Sequence, residues 1–306
     1  MIYVLIPSHN EAATIGLLLW KVRQVFDRFP REYQIIVVND GSTDGTEDVL
    51  APYARALPLT VVTNRRRQGY GRALETLFRE ALSRTDRPKR DMAVMLQGDF
   101  SDSPELIPEI VKRMEGGADL VVTDERGVGD TVLERAARRL LPRIVKSLLT
   151  LPGADDVIGT MRGYRLAVLA RMLNNRASPG QPLLTREGWA ADLELLVKTA
   201  REARTIDTVP VSSRTPHARP SRLHPVRETL RVVRAAFELR RPERVVELPT
   251  AARQPDESAP TPQRRDRAES RERRGRRGRG RGRRGRGNGG ARPADSPASA
   301  KRPGPA

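Results

Sequence analysis

Short, almost wholly apolar runs recur along the first 125 residues, at 2–6 (IYVLI), 34–38 (QIIVV), 59–63 (LTVVT), 92–96 (MAVML) and 119–123 (DLVVT). A strand with one wet face alternates apolar and polar residues. These runs do not alternate, which predicts parallel strands buried on both faces. Between the first two runs, Ile15, Leu18, Leu19, Val22, Val25 and Phe26 recur at helical spacing. Ala73, Leu74, Leu77 and Ala81 do the same between the third and fourth. This βαβαβ rhythm predicts an α/β fold, a doubly wound and mostly parallel sheet flanked by helices. Such sheets bind ligands at the carboxyl ends of their strands, so the residues just after each run carry the interest.

Beyond residue 130 the pattern turns helical at about 130–150, then to loops, then helical again near 165–173 and 188–203, with a strand at 205–211 and a loop to about 225. The stretch 226–241 reads as a helix with Val226, Leu230, Val233 and Phe237 on one side. Arg227, Arg231, Arg234, Arg240 and Arg241 occupy the rest of it. From 249 onward Arg, Gly, Pro, Ser and Ala dominate, with an RGRGRGRRGRG run. That segment buries too little apolar surface to offset its chain entropy, and a disordered basic tail is expected over 249–306. The folded part is expected over 1–248, in halves 1–125 and 126–248.

Composition narrows the chemistry. With no cysteine among 306 residues, disulfides and thiolate metal sites are excluded. Three histidines make a zinc hydrolase site an unpromising reading and leave carboxylates to hold any metal. The net charge of +18 is unevenly placed: residues 255–306 carry 16 Lys/Arg against 6 Asp/Glu. An apolar strand directly after Met1, without a basic leader, argues against a secretory signal. No run of about 18 apolar residues occurs. A cytoplasmic location is expected, at most peripheral at the inner face of a membrane.

The first strand ends in Pro7-Ser8-His9-Asn10-Glu11, the second in Asn39-Asp40-Gly41-Ser42-Thr43-Asp44, and the fourth in Gln97-Gly98-Asp99-Phe100-Ser101-Asp102. Singly, each has an ordinary reading. Asp-Gly marks a turn, Glu11 complements a helix dipole, and Ser103-Pro104-Glu105 opens a helix. Together they bring three acidic strand ends to one rim. That suits a nucleoside diphosphate, with carboxylates for ribose, base and a hard cation that neutralises the leaving diphosphate.

IPSHNEA (6–12), VVNDGSTDGT (37–46), GYGRA (69–73), LQGDFSDSPE (96–105), DVIGTMRGYR (156–165), GWAADLELL (188–196) and VPVSSRTPHARPSRL (209–223) follow one another in the chain. In order and spacing they resemble the family 2 glycosyltransferases of the GT-A fold, nearest to dolichol- or polyprenol-phosphate mannose synthases. The resemblance spans about residues 1–230 and implies a nucleotide-binding half (1–125) and an acceptor half (126–248). It implies that Pro7 and Glu11 meet the ribose side, Asp40 the base, and Gln97, Gly98 and Asp99 the diphosphate. Mg²⁺ or Mn²⁺ would sit on Asp99, with Gln97 and Ser101 beside it, and Arg222 would approach the donor phosphates. Arg126 and Arg139 match residues that hold an acceptor lipid's phosphate. Two departures stand out. Gln97 replaces the first Asp of the family's Asp-x-Asp, which removes one charge from the metal site and opens a place for Asp102. Ala218-Arg219-Pro220 replaces the usual Gly ahead of a Ser-Lys pair.

The resemblance implies an inverting displacement from a nucleotide-sugar donor to a polyprenyl or dolichyl phosphate. A phosphate acceptor needs no strong general base, whereas a hydroxyl acceptor needs a carboxylate, for which Asp192 and Glu194 are the candidates. Glu194 could equally order its loop, and Trp189 could stack on a sugar or fill core. The tail admits three readings: anionic membrane, RNA, or solubility alone. RNA binding through the RG repeats on a GT-A-like scaffold is the alternative function. The tail's lack of aromatic residues weakens that reading, and the basic 226–241 stretch favours the membrane.

Overall fold

The apolar runs become strands of one seven-stranded sheet in the computed structural model, which describes residues 1–126, 131–149, 151, 153–154, 156–175, 182–211 and 225–240. The strands are β1 (Ile2–Ser8), β2 (Tyr33–Asp40), β3 (Leu59–Asn64), β4 (Met92–Met95), β5 (Leu120–Asp124), β6 (Arg162–Arg165) and β7 (Ile206–Pro210). Their spatial order is β3-β2-β1-β4-β6-β5-β7. All neighbours run parallel except β6, which is antiparallel to both β4 and β5. The tail, the boundary near 248, the 212–224 loop with Arg222, and residue 241 lie outside the described residues.

Non-alternating strands are explained by two cores. On one face, Ile2, Val4 and Ile6 of β1 and Ile35 and Val37 of β2 pack against α1 (Ile15–Arg28) and α4 (Ile107–Glu115). On the other, Tyr3, Leu5, Ile36 and Val38 meet α3 (Tyr70–Arg84), α6 (Leu166–Asn174) and α7 (Trp189–Glu202). Full burial of each Leu, Ile or Val contributes about 1.5–3 kcal/mol, so the strand runs themselves select this two-sided arrangement. The helix α2 (Thr46–Ala56) joins β2 to β3. The edge strands β3 and β7 are only half-buried, a departure from the burial on both faces expected of the 59–63 run.

The charged sequence RGYR of β6 gives no apolar-run signal, and the sequence reading places a loop there. Arg162 is nonetheless only 1% exposed, because its Nη1 donates to the Asp192 carbonyl at 2.8 Å. At Gly163 a Cβ would stand 2.4 Å from Ile110 Cγ2, so only glycine lets α4 lie this close to the strand.

The two remaining helices, α5 (Val132–Leu148) and α8 (Pro225–Leu239), touch one another, and α8 also packs on α7. The structure shows which side of α8 packs. Val232, Ala235, Ala236 and Leu239 turn inward, while Val226, Leu230 and Phe237 are exposed and Val233 is half-buried. Two alanines let the helix approach closely, and Glu228 buries its carboxylate to accept from the Trp189 backbone N–H at 3.2 Å. Gly188, at φ +58°, makes that contact possible: a side chain there would meet Glu228 Oε2 at 2.3 Å. No helix of the described residues is long and apolar enough to cross a membrane.

Candidate active site

The carboxyl ends of β1, β2 and β4 open into a cleft of about 350 Å³ whose far wall comes from α5 and α7. The β1 and β2 ends are clasped together. Asn10, at φ +58°, takes a hydrogen bond from Thr43 N on Oδ1 at 2.8 Å and gives one to Ser42 Oγ at 2.9 Å. The Glu11 amide donates to Thr46 Oγ1 and the Ala12 amide to Asp44. Phe100, in the loop after β4, is the other non-glycine at positive φ among the described residues. Both therefore lie in loops that border this cleft, which is where such backbone strain concentrates.

Asp40 is 3% exposed and closes the rim of β2. Its Oδ1 accepts from Asn64 Nδ2 (2.9 Å) and Gln68 N (2.8 Å), and its Oδ2 from Gly69 N (2.8 Å). The carboxylate thus fixes the 64–69 segment that brings Arg67 and Tyr70 to the cleft, and it also lines the cleft itself. Pro7, Glu11, Gln97, Gly98, Asp99 and Ser101 line the same space. Asp99 Oδ1 accepts from Ser101 N at 3.0 Å. The neighbouring Asp102 does not face the cleft as a further metal oxygen. It is 4% exposed, with one oxygen taking Gln97 N at 2.7 Å and the other Thr160 Oγ1 at 2.7 Å. Burial, reinforced by the nearby Glu125 carboxylate and opposed by those two donors, pushes Asp102 up to about 8.

Gln97 leads to the opposite wall. Its Nε2 donates to Tyr70 Oη at 2.9 Å, and Tyr70 donates to Asp192 Oδ1 at 3.1 Å. Asp192 lines the cleft and is pushed up to about 7 by burial, against the pull of Arg162 and the Tyr70 hydroxyl. Glu194 sits two residues on and is not on the cleft wall. Its carboxylate accepts from Thr185 N and Oγ1 and from Arg186 N, and pairs with Arg186 and Lys198. It ties down the 185–186 loop. Trp189 is 4% exposed, packs in the core and also forms part of the cleft wall.

Two charged residues that the sequence reading passed over complete the wall. Arg138 of α5 enters the cleft with its guanidinium over the Trp189 ring at 5.4 Å, and its Nη1 donates to Glu125 Oε2 at 2.8 Å. Burial holds the Glu125 carboxyl above its ordinary range, and Arg138 opposes that shift. The adjacent Arg139 is exposed and not on the cleft wall. Arg126 also lies off the wall, in a two-pronged pair with Asp124 at 2.8 and 2.6 Å. Among the described residues no group of three or more His, Cys, Asp or Glu could enclose a metal ion.

The chain is 27% identical over 198 residues to the undecaprenyl-phosphate 4-deoxy-4-formamido-L-arabinose transferase of Edwardsiella ictaluri, covering 64% of this chain and 59% of that protein. To the Aeromonas hydrophila transferase of the same name it is 28% identical over 207 residues, covering 66% and 61%. The chain therefore spans about three fifths of the length of these curated relatives. Glucosyl-3-phosphoglycerate synthase of Mycobacterium tuberculosis, crystallised with Mn²⁺, UDP and glucosyl-3-phosphoglycerate, shares the fold at a TM-score of 0.55 and 20% identity, covering 78% of this chain and 79% of that one. The sequence profile of glycosyl transferase family 2 matches residues 3–173, more than half of the chain, and the chain belongs to that family.

Proposed function

We propose that this protein transfers a sugar from a nucleoside diphosphate sugar to a polyprenyl phosphate, with inversion at the anomeric carbon. The observation that carries the reading is the cleft itself. It sets the strand-end carboxylates Glu11, Asp40 and Asp99 on one side and the buried cation of Arg138 on the other. Pro7, Glu11 and Asp40 would receive the nucleoside, while Gln97, Gly98 and Asp99 would face the diphosphate. Arg138 would hold the acceptor phosphate, because a guanidinium grips phosphate in a two-pronged way; Arg126 would join it only by leaving its pair with Asp124. Arg139 stands outside that grip, and Arg222 would approach the donor phosphates. The names of the undecaprenyl-phosphate transferases support the acceptor class.

The donor set fits Mg²⁺ or Mn²⁺ of the kind that uses one or two carboxylates and completes its shell with substrate phosphates. Asp99 would hold the ion, with the Gln97 and Ser101 oxygens nearby, and the Mn²⁺ of the structural neighbour supports this choice. When bound, the ion neutralises charge on the leaving diphosphate. A phosphate oxygen of the acceptor attacks the anomeric carbon as the bond from that carbon to the diphosphate oxygen breaks. An ionised phosphate needs no proton acceptor. Asp192 would orient the sugar through its remaining lone pairs, and it would become the proton acceptor only for a hydroxyl substrate.

The test supplies undecaprenyl phosphate, Mg²⁺ or Mn²⁺ and a panel of nucleotide sugars to the full chain and follows lipid-linked sugar. One donor is expected to give product, and Asp99→Ala to remove it with little change in melting temperature. No lipid-linked sugar from any donor would overturn the reading, and near-normal turnover of Asp99→Ala would overturn the metal assignment.

A further inference from the structure

Ten large apolar side chains are exposed among the described residues, and seven of them lie on α5 and α8. Leu140 is 53% exposed, Leu230 67% and Phe237 56%, with Leu133 and Ile144 continuing the stripe on α5. Exposed apolar residues scattered singly need no explanation, but a concentration on two touching helices does. The spacing 133–140–144 on α5 and 230–237 on α8 keeps each set on one side of its helix. Beside each stripe lie exposed cations, Arg139 and Arg143 on α5 and Arg227 and Arg234 on α8, Arg234 being paired with the exposed Glu238 of the same helix. The one acid of α5, Glu134, is buried, so the outer face of that helix presents cations and no carboxylate.

We infer that α5 and α8 together form a docking face for an anionic lipid bilayer, with the apolar stripes inserted among the headgroups and the arginines on the phosphates. A helix with one apolar side and one basic side lies in the interfacial plane of a membrane. A second copy of the chain fits this face less well, because a symmetric contact would bring each basic row against its own kind. The same helix α5 carries Arg138 into the cleft, so one element has the catalytic wall on one side and the bilayer face on another. The inference rests on the reading that the acceptor is lipid-borne only for its purpose. The binding itself is measurable without donor or acceptor.

The experiment is co-sedimentation of the full chain with vesicles of phosphatidylcholine alone and of phosphatidylcholine and phosphatidylglycerol in equal parts. Binding is expected only to the anionic vesicles. The triple variant Leu140→Gln, Leu230→Gln, Phe237→Gln leaves every charge and the basic tail in place. It should weaken that binding by about a hundredfold, given three apolar side chains each partly withdrawn from water. Arg143→Gln with Arg227→Gln should weaken it by about fivefold per cation. Since all five side chains are exposed, circular dichroism and melting temperature should not move. Undiminished binding of the triple variant would overturn the inference and leave the 255–306 tail as the tether. So would binding by neither vesicle. A triple variant that changes only from dimer to monomer would assign the face to a second copy instead. Because transfer to a soluble short-chain acceptor is assayed separately, lost vesicle binding with intact transfer distinguishes this failure from failure of the proposed activity.

Discussion

Replacing Asp102 by Asn should stabilise the protein, and increasingly so as pH rises. Asp102 is buried beneath the loop that presents Gln97 and Asp99, and burial with the nearby Glu125 charge pushes it up to about 8. In the unfolded chain an aspartate ionises near 3.9. A group whose folded value is raised contributes stability that is complete below the unfolded value and is lost as pH climbs toward the folded one. For Asp102 the loss runs from about pH 4 to about pH 8. At 1.36 kcal/mol per unit, the part between about pH 5 and pH 8 is on the order of 3–4 kcal/mol. Asn keeps the shape of the neutral acid. Its Oδ1 can accept from Gln97 N, and its Nδ2 can donate to Thr160 Oγ1, whose hydroxyl is free to rotate. Urea unfolding of both proteins at several pH values should therefore give a stability difference that grows with pH in favour of the variant. Asp192, pushed up to about 7, contributes the same slope to both and cancels. Parallel pH curves, or a variant destabilised equally at every pH, would refute the assignment of Asp102 as a neutral loop anchor.

Arg138→Lys keeps the charge that Glu125 and Glu134 require but loses the two-pronged fork. It should raise the acceptor KM roughly tenfold or more with little change in the donor KM, while the exposed Arg139→Ala should change neither; steady-state kinetics on short-chain prenyl phosphate checks both. Asp192→Asn should leave turnover on a phosphate acceptor within about tenfold of the parent and flat through about pH 7. A loss of about 10²–10⁴ would instead mark a hydroxyl acceptor whose proton Asp192 must take in its ionised form.

The strand-end side of the cleft was legible because β1, β2 and β4 are buried on both faces. Their apolar runs mark where the polar rim begins, at Pro7, Asp40 and Gln97. The opposite wall was not. On α5, Glu134, Arg138, Leu141 and Val145 form the inward side. That spacing can be read in the sequence, but Leu133, Leu140 and Ile144 offer a competing and more apolar stripe. A step of one residue turns a helix by about 100°, which is the whole difference between Arg138 in the cleft and Arg139 outside it. The packing side of α8 was hidden in the same way, since two alanines and a buried Glu228 do not read as a packing face. β6 left no trace in hydropathy because Gly163 serves by its smallness and Arg162 by one hydrogen bond to a carbonyl. Glu125 became visible only once β5 and α5 were set beside each other.

The place of β6 in the sheet bears on how the chain emerges from the ribosome. Strands β1 to β4 can pair as soon as they are made, yet the partner of β4 on its far side is β6, which follows about 70 residues later. At about 5–20 residues per second that interval is on the order of 4–14 s. Throughout it the backbone of Met92–Met95 presents an unpaired edge next to an apolar surface, the arrangement that recruits strands from other chains. β5 leaves the ribosome in the meantime and must wait beside a gap until Arg162–Arg165 slots in from the opposite direction. Nascent-chain protection is therefore needed most between β4 and β6, and arrest of translation in that window should yield aggregates.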